Sequence, residues 1–227
     1  MNECSFTLRR GKIGKHRKMT LQSPDLRLQA APDARQSGIL DAIRASFIEK
    51  GFDGASMQDL ARAAGMSVGN FYRYFPSKDA IIAAIAMRDL ADVEAEFATV
   101  IGSDDPLGML RLALRRYICE TCHSDGALWA EINAAARRKP AIGAAVGHLE
   151  SCIRNYLTTV FAAVTGQPFA EAQRRYGSHA SLILMMVQAS GMRFPDEGAS
   201  EERDLDELIL RTIDRTLDEI ANDASKG

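Results

Sequence analysis

SMQDLARAAGMSVGNFYRYFPSK, residues 56–78, reads as two short helices joined by a tight turn. Ser56 caps the first helix, and Asp59 three residues on supplies the other half of a capping box. Leu60, Ala61 and Ala64 give that helix a narrow apolar side of small residues. Gly65 stops it, because a left-handed backbone suits glycine best. Ser67 then caps a second helix carrying Val68, Phe71, Tyr72 and Phe75. Ala61 and Gly65 stand four apart. A helix-turn-helix needs this arrangement, with a small residue where the helices touch and a glycine where the chain bends. In such a unit the second helix is the one that enters a DNA major groove.

Working outward, the charge is unevenly spread. The formal net charge of the 227 residues is only −2, yet residues 1–80 hold 13 Lys and Arg against 8 Asp and Glu. The remainder is acidic, so the front of the chain is the part suited to phosphates. Apolar residues at 46% and charged residues at 26% are ordinary for a soluble globular protein. No secretory signal is visible, and the longest apolar runs, such as Ile81 to Met87, are far too short to cross a bilayer. A cytoplasmic protein with no membrane partner is expected. Four cysteines give no disulfide framework.

Before the motif, residues 1–34 are predicted to be an unstructured tail. It carries a basic cluster (Arg9, Arg10, Lys12, Lys15, Arg17 and Lys18) and is interrupted by Pro24 and Pro32. The tail is either simply solvated or an arm adding non-specific phosphate attraction. From Arg35 to Lys50, Ile39, Ile43 and Phe47 recur every four residues, an amphipathic helix ended by Gly51. Beyond the motif, helices are predicted over 78–100, 107–123, 127–138, 142–164, 169–192 and 205–220. Breaks fall at Gly102 to Pro106, at Ser124-Asp125-Gly126, at Pro140, near Gly166-Gln167-Pro168, and at a polar loop over 193–203. No strand signal of any length is present. The prediction is therefore an all-α chain of about nine helices. It comprises a tail (1–34), a three-helix head (35–80), and a helical bundle for regulation and dimerisation (81–227), with the boundary inside the helix that begins at Lys78.

The run from Arg35 to Ile85 resembles the DNA-binding domain of the TetR family of bacterial transcriptional regulators. Ala45, Phe47, Gly51, Phe52, Ser56, Ala61, Ala64, Gly65, Ser67, Gly69, Phe71, Tyr72, Tyr74, Phe75 and Lys78 carry the likeness, and SxGNFYRYFPSK is its most specific part. The resemblance covers the first third closely and the rest only by helix count and order. It implies a homodimer whose reading helices enter successive major grooves of a palindromic operator in double-stranded DNA. It also implies that the last two long helices, residues 169–192 and 204–221, pair with those of the partner. A small-molecule effector would bind in the body and change the spacing of the heads, most often as an inducer that releases a repressor.

On that reading, phosphate contacts are expected at Ser56, Tyr72, Tyr74 and Lys78. A tyrosine hydroxyl can reach a phosphate while its ring packs, and Lys78 adds charge at a helix N-terminus. Base edges are to be read by Gln58, Ser67, Val68, Asn70 and Arg73, since Asn or Gln can pair with adenine and Arg with guanine. Gly69 serves either close approach to DNA or clearance inside the domain. An effector pocket within residues 78–192 would draw on Phe97, Tyr117, Trp129, Tyr156, Met185 and Met186, with Glu131, Asn133, His123 or His148 orienting polar groups.

Cys119-Glu120-Thr121-Cys122-His123 spells CxxCH, the attachment motif of c-type haem. With no export signal in view, haem is not expected, nor is any other cofactor or resident metal. A regulator answering to redox state or a metal through Cys119 and Cys122 is the alternative function. An all-helical enzyme ranks last: no nucleophile–base motif, glycine-rich phosphate loop or HExxH pattern is present.

Overall fold

The structure, a computed structural model, describes the backbone of residues 34–192 and 199–224, and the side chains of 38–119, 126–192 and 203–223. The expected basic tail and most of the loop over 193–203 lie outside it. Nine α-helices and no strand are found among the described residues.

The head is built from α1 (Ala34–Gly54), α2 (Met57–Ala63) and α3 (Val68–Tyr74). In α1, Gly51 takes φ 71°, a left-handed value that breaks the helix where the glycine was expected to end it. Ser56 and Asp59 form a complete capping box at the start of α2. At its end Gly65 has φ 64°. Met66 N–H donates to the Ala61 carbonyl at 2.9 Å and Gly65 N–H to that of Arg62 at 3.0 Å. This double closure satisfies the last carbonyls of α2 and turns the chain sharply into α3. Phe47, Phe52, Phe71 and Phe75 are almost wholly buried, each contributing about 1.5–3 kcal/mol through removal from water.

The body comprises α4 (Lys78–Ile101), α5 (Pro106–Arg116), a π-helical turn (Tyr117–Thr121), α6 (Cys122–Arg138), α7 (Pro140–Thr165), α8 (Phe169–Gly191) and α9 (Ala199–Ala224). Two apolar cores result. The head core takes Ile81, Ile82 and Ile85 from the start of α4 and is completed by Leu128, Ile132 and Ala135 of α6 and Ile142 and Val146 of α7. The bundle core holds Phe97, Tyr156, Phe161, Tyr176 and Ile213, among others. Trp129 packs against both cores.

Two boundaries differ from expectation. The helix predicted over 107–123 ends at Arg116, and α6 runs straight through Ser124-Asp125-Gly126. Gly126 is not a break: a Cβ there would run into the Gly191 carbonyl oxygen of α8. The glycine permits a close helix crossing, and composition alone does not separate that use from a turn. The last helix begins at Ala199 instead of Leu205, since Glu and Arg in the polar stretch are good helix formers.

Candidate DNA interface and effector cavity

Helix α3 buries Phe71 and presents its opposite face to solvent. Ser67 caps it, its hydroxyl accepting from Asn70 N–H at 3.4 Å. Val68 is 39% and Tyr72 47% exposed; Ser67, Gly69 and Arg73 are exposed too, and Asn70 and Tyr74 are half-buried. Gln58 is exposed on α2. Exposed apolar and aromatic groups beside Arg73 make a surface suited to base edges and phosphates. A Cβ built on Gly69 meets nothing within 4 Å. Clearance inside the domain therefore does not require this glycine.

Two expected phosphate ligands are engaged within the protein. The Lys78 ammonium donates to the Phe52 carbonyl at 2.7 Å and the Asp53 carbonyl at 3.2 Å. It also lies 5.0 Å from the centre of the Phe52 ring. Its charge closes the loop after α1 rather than pointing outward. The Ser56 hydroxyl is bound up in the capping box, accepting from Asp59 N–H at 3.1 Å. That hydroxyl and then the Lys50 ammonium hold the Asp59 carboxyl well below the usual carboxylate range. Arg62, not among the expected contacts, has a side chain 76% exposed beside Asp59. A basic residue four after Gln58, one helical turn along α2, was the signal for it.

In the body a cavity of about 380 Å³ opens between α4, α5, α6, α7 and α8. Phe97, Tyr117, Trp129 and Asn133 of the expected set lie on its wall. The rest of that set is elsewhere. Tyr156 sits in the bundle core, stacked on Phe97 with ring centres 5.4 Å apart, and burial pushes its hydroxyl up to about 12. Met186 is half-buried against the same core. Met185 is 64% exposed on the outer side of α8: that helix is apolar over most of its circumference here, so hydrophobicity did not say which side faces in. The His123 side chain lies outside the described residues. The polar wall groups that sequence reading missed are Asp89, Asp92, Glu96, Arg116, Glu150 and Gln188. For Glu150 a signal existed, since Val146, Glu150, Ile153 and Leu157 share one stripe of α7.

Glu131 is the clearest correction. Its carboxylate accepts from Phe52 N–H at 3.0 Å and lies against Gly51, whose Cβ would stand 3.4 Å from Oε2. It faces the head because α6 has two working sides. Trp129, Asn133 and Gly126 look into the cavity, while Glu131, Leu128 and Ile132 meet the head. Further along, Arg138 pairs with Asp53 at 3.0 Å and Lys139 with Asp79 at 3.2 Å.

The Cys122 side chain, half of the alternative redox or metal site, lies outside the described residues. Cys119 carries an exposed thiol, whereas Cys152, buried in α7, is disulfide-bonded. Its sulfur is 3.7 Å from His148 Nε2. Among the described residues no group of three or more His, Cys, Asp or Glu is arranged to hold a metal ion, and no helix is long and apolar enough to cross a membrane.

Residues 39–85 match the family model described as bacterial regulatory proteins, tetR family. Over 132 residues the chain is 28% identical to the HTH-type transcriptional regulator UidR of Escherichia coli K12. That match spans 57% of this chain and 66% of UidR, a little under two thirds of its length. Over 63 residues it is 36% identical to RutR of the same organism, covering 28% of this chain and 29% of RutR. Among solved structures, Salmonella enterica GusR superposes with a TM-score of 0.65 at 23% identity, covering 84% of this chain and 97% of that one. AibR, solved in complex with isovaleryl coenzyme A and operator DNA, superposes with a TM-score of 0.56 at 20% identity, over 79% and 95%. At these identities the structural likeness is one of fold.

Proposed function

We propose that this chain, whose head is the DNA-binding domain of the TetR family of bacterial regulators, is a ligand-responsive transcriptional regulator, acting as a repressor and working in the cytoplasm as a homodimer. The observation that carries the reading is the double use of α6. One side of that helix walls the cavity, and the other holds the loop between α1 and α2 through Glu131 and the head core through Leu128 and Ile132. A molecule in the cavity therefore touches the element on which the head rests. An effector works only by binding one arrangement of the heads more tightly than the other. Coupling of roughly 1–3 kcal/mol, about five- to 150-fold, is typical. AibR, of the same fold, holds an acyl-CoA and operator DNA together, which supports pairing the two sites here.

Base recognition is assigned to the exposed face of α3, with Gln58, Ser67, Val68, Asn70 and Arg73 at base edges. Tyr72 and Tyr74 take phosphates, and Arg62 joins them. Ser56 and Lys78 act chiefly by fixing the loop and cap that aim α3. Dimerisation is assigned to α8 and α9, where Leu182, Met185, Leu205 and Leu208 are 44%, 64%, 41% and 51% exposed; a surface this apolar needs covering. The test is a gel shift with DNA from upstream of the protein's own gene. A dimer shift that resists random competitor DNA is expected, and silence towards every duplex at low ionic strength would end the reading.

The disulfide at Cys152 supports a second reading, a regulator answering to redox state. The assay is DNA binding before and after reduction with dithiothreitol. A change on reduction favours this reading, and identical affinity removes it.

A further inference from the structure

Helix α4 serves the two cores in turn. Ile81, Ile82 and Ile85 belong to the head core, and Ala86, Leu90 and Phe97 to the bundle core. Around this change-over α4 is tied to α1 by two ion pairs. Arg88 donates to the Asp41 carboxylate at 2.6 Å, and Arg44 pairs with Asp89. Arg88 Nε also stands 4.0 Å from Asp89. The first pair is open to solvent, with Asp41 66% exposed, and such pairs contribute little. The second is not: the Arg44 and Asp89 side chains are only 10% and 19% exposed. Taking both charges out of water is costly, and a well-packed apolar pair of similar volume often holds two elements as firmly or better. What a buried pair adds is register, because a guanidinium and a carboxylate bond well in one geometry.

We propose that Arg44 and Asp89 are positioning residues for operator recognition: their pair fixes the angle of the head on the body and thereby the half-site spacing that the dimer accepts. The inference rests on the regulator reading and adds to it two residues that touch no DNA. Leu40, Ile43 and Phe47 bring α1 into the same core as Phe71 of α3, so a shift of α1 against α4 carries the reading helix with it. Glu131 holds the other end of α1 at Phe52. The head thus has two points of attachment, and releasing one lets it pivot about the other. In a dimer that pivot changes the distance between the two reading helices. Asp89 also lies on the cavity wall, so whatever fills the cavity borders this joint.

The test compares duplexes that differ only in spacing. The full-length protein is titrated by fluorescence anisotropy with the operator from upstream of its own gene, and with versions carrying one base pair inserted at the centre or removed from it. The parent is expected to prefer the natural spacing by about tenfold or more, since half-site separation mirrors the geometry of the dimer. Asp89→Asn, and the paired replacement Arg44→Met with Asp89→Leu, are each expected to narrow that preference several-fold, while Asp89→Glu retains most of it. The paired replacement leaves no buried charge unmatched. It is expected to melt near the parent's midpoint, and it keeps the test open where Asp89→Asn is unstable. An unchanged preference in the folded paired variant overturns the proposal. So does an equal loss on all three duplexes, which is what simple loosening of the head would give. A parent that binds every spacing alike overturns it and leaves the regulator reading standing, whereas a parent silent towards every duplex ends both.

Discussion

At Gly69 the space a methyl group would fill is open. The residue sits in a short helix where alanine is favoured over glycine by about 0.5–1 kcal/mol. Gly69→Ala is therefore expected to leave the thermal midpoint unchanged or raised while lowering operator affinity, read by melting and by fluorescence anisotropy. A variant that binds DNA as well as the parent would show that nothing approaches closely at this point. His148 offers a prediction in pH. Burial holds its imidazole below the ordinary value of 6.5. The unfolded chain thus takes up that proton more readily, and stability present above pH 6.5 falls as the solution becomes more acid. Replacing His148 with Gln should flatten the loss of stability between about pH 7 and pH 5, measured by urea titration. Single residues were legible in the sequence where backbone chemistry dictates them. Ser56, Asp59, Gly65 and Ser67 each do in the structure what their type demands. Lys78 was not, because a positive charge at a helix start suits a phosphate and a pair of backbone carbonyls equally well.

Among the elements, α6 was the hardest to read and does the most. Its start hides in a Ser-Asp-Gly sequence that elsewhere makes a turn, and only the Gly191 carbonyl across the crossing shows why Gly126 is there. Its two faces differ little in composition, so Glu131 was assigned to the cavity when it belongs to the head. Helix α4 was easier, since Ile81, Ile82 and Ile85 at one end and Phe97 and Val100 at the other announce a long buried stripe. If α6 carries the message, Glu131→Gln should weaken it, since an amide is a poorer acceptor for Phe52 N–H than a carboxylate. The expected result is a stability loss of about 1 kcal/mol with a smaller change in DNA affinity on adding effector. Full effector response in this variant would direct attention back to α4.

For the whole molecule, the proposed dimer rests on the outer face formed by α8 and α9. Met185→Glu places a charge on the most exposed large apolar side chain of that face. Sedimentation should show a monomer, and operator affinity should fall by orders of magnitude because one head reaches only one half-site. A dimeric Met185→Glu protein would move the interface elsewhere. The overall architecture followed from helical spacing and the punctuation of Gly and Pro. The contacts between helices did not, because they depend on which of several apolar sides turns inward. One such contact bears on attempts to build hybrid sensors. The head is closed underneath by Leu128, Ile132 and Ala135, which come from far along the chain. Transplanting residues 35–85 onto a foreign body would leave greasy surface bare unless those three positions travel with it, so a working chimera must be cut along that seam and not at the end of the motif.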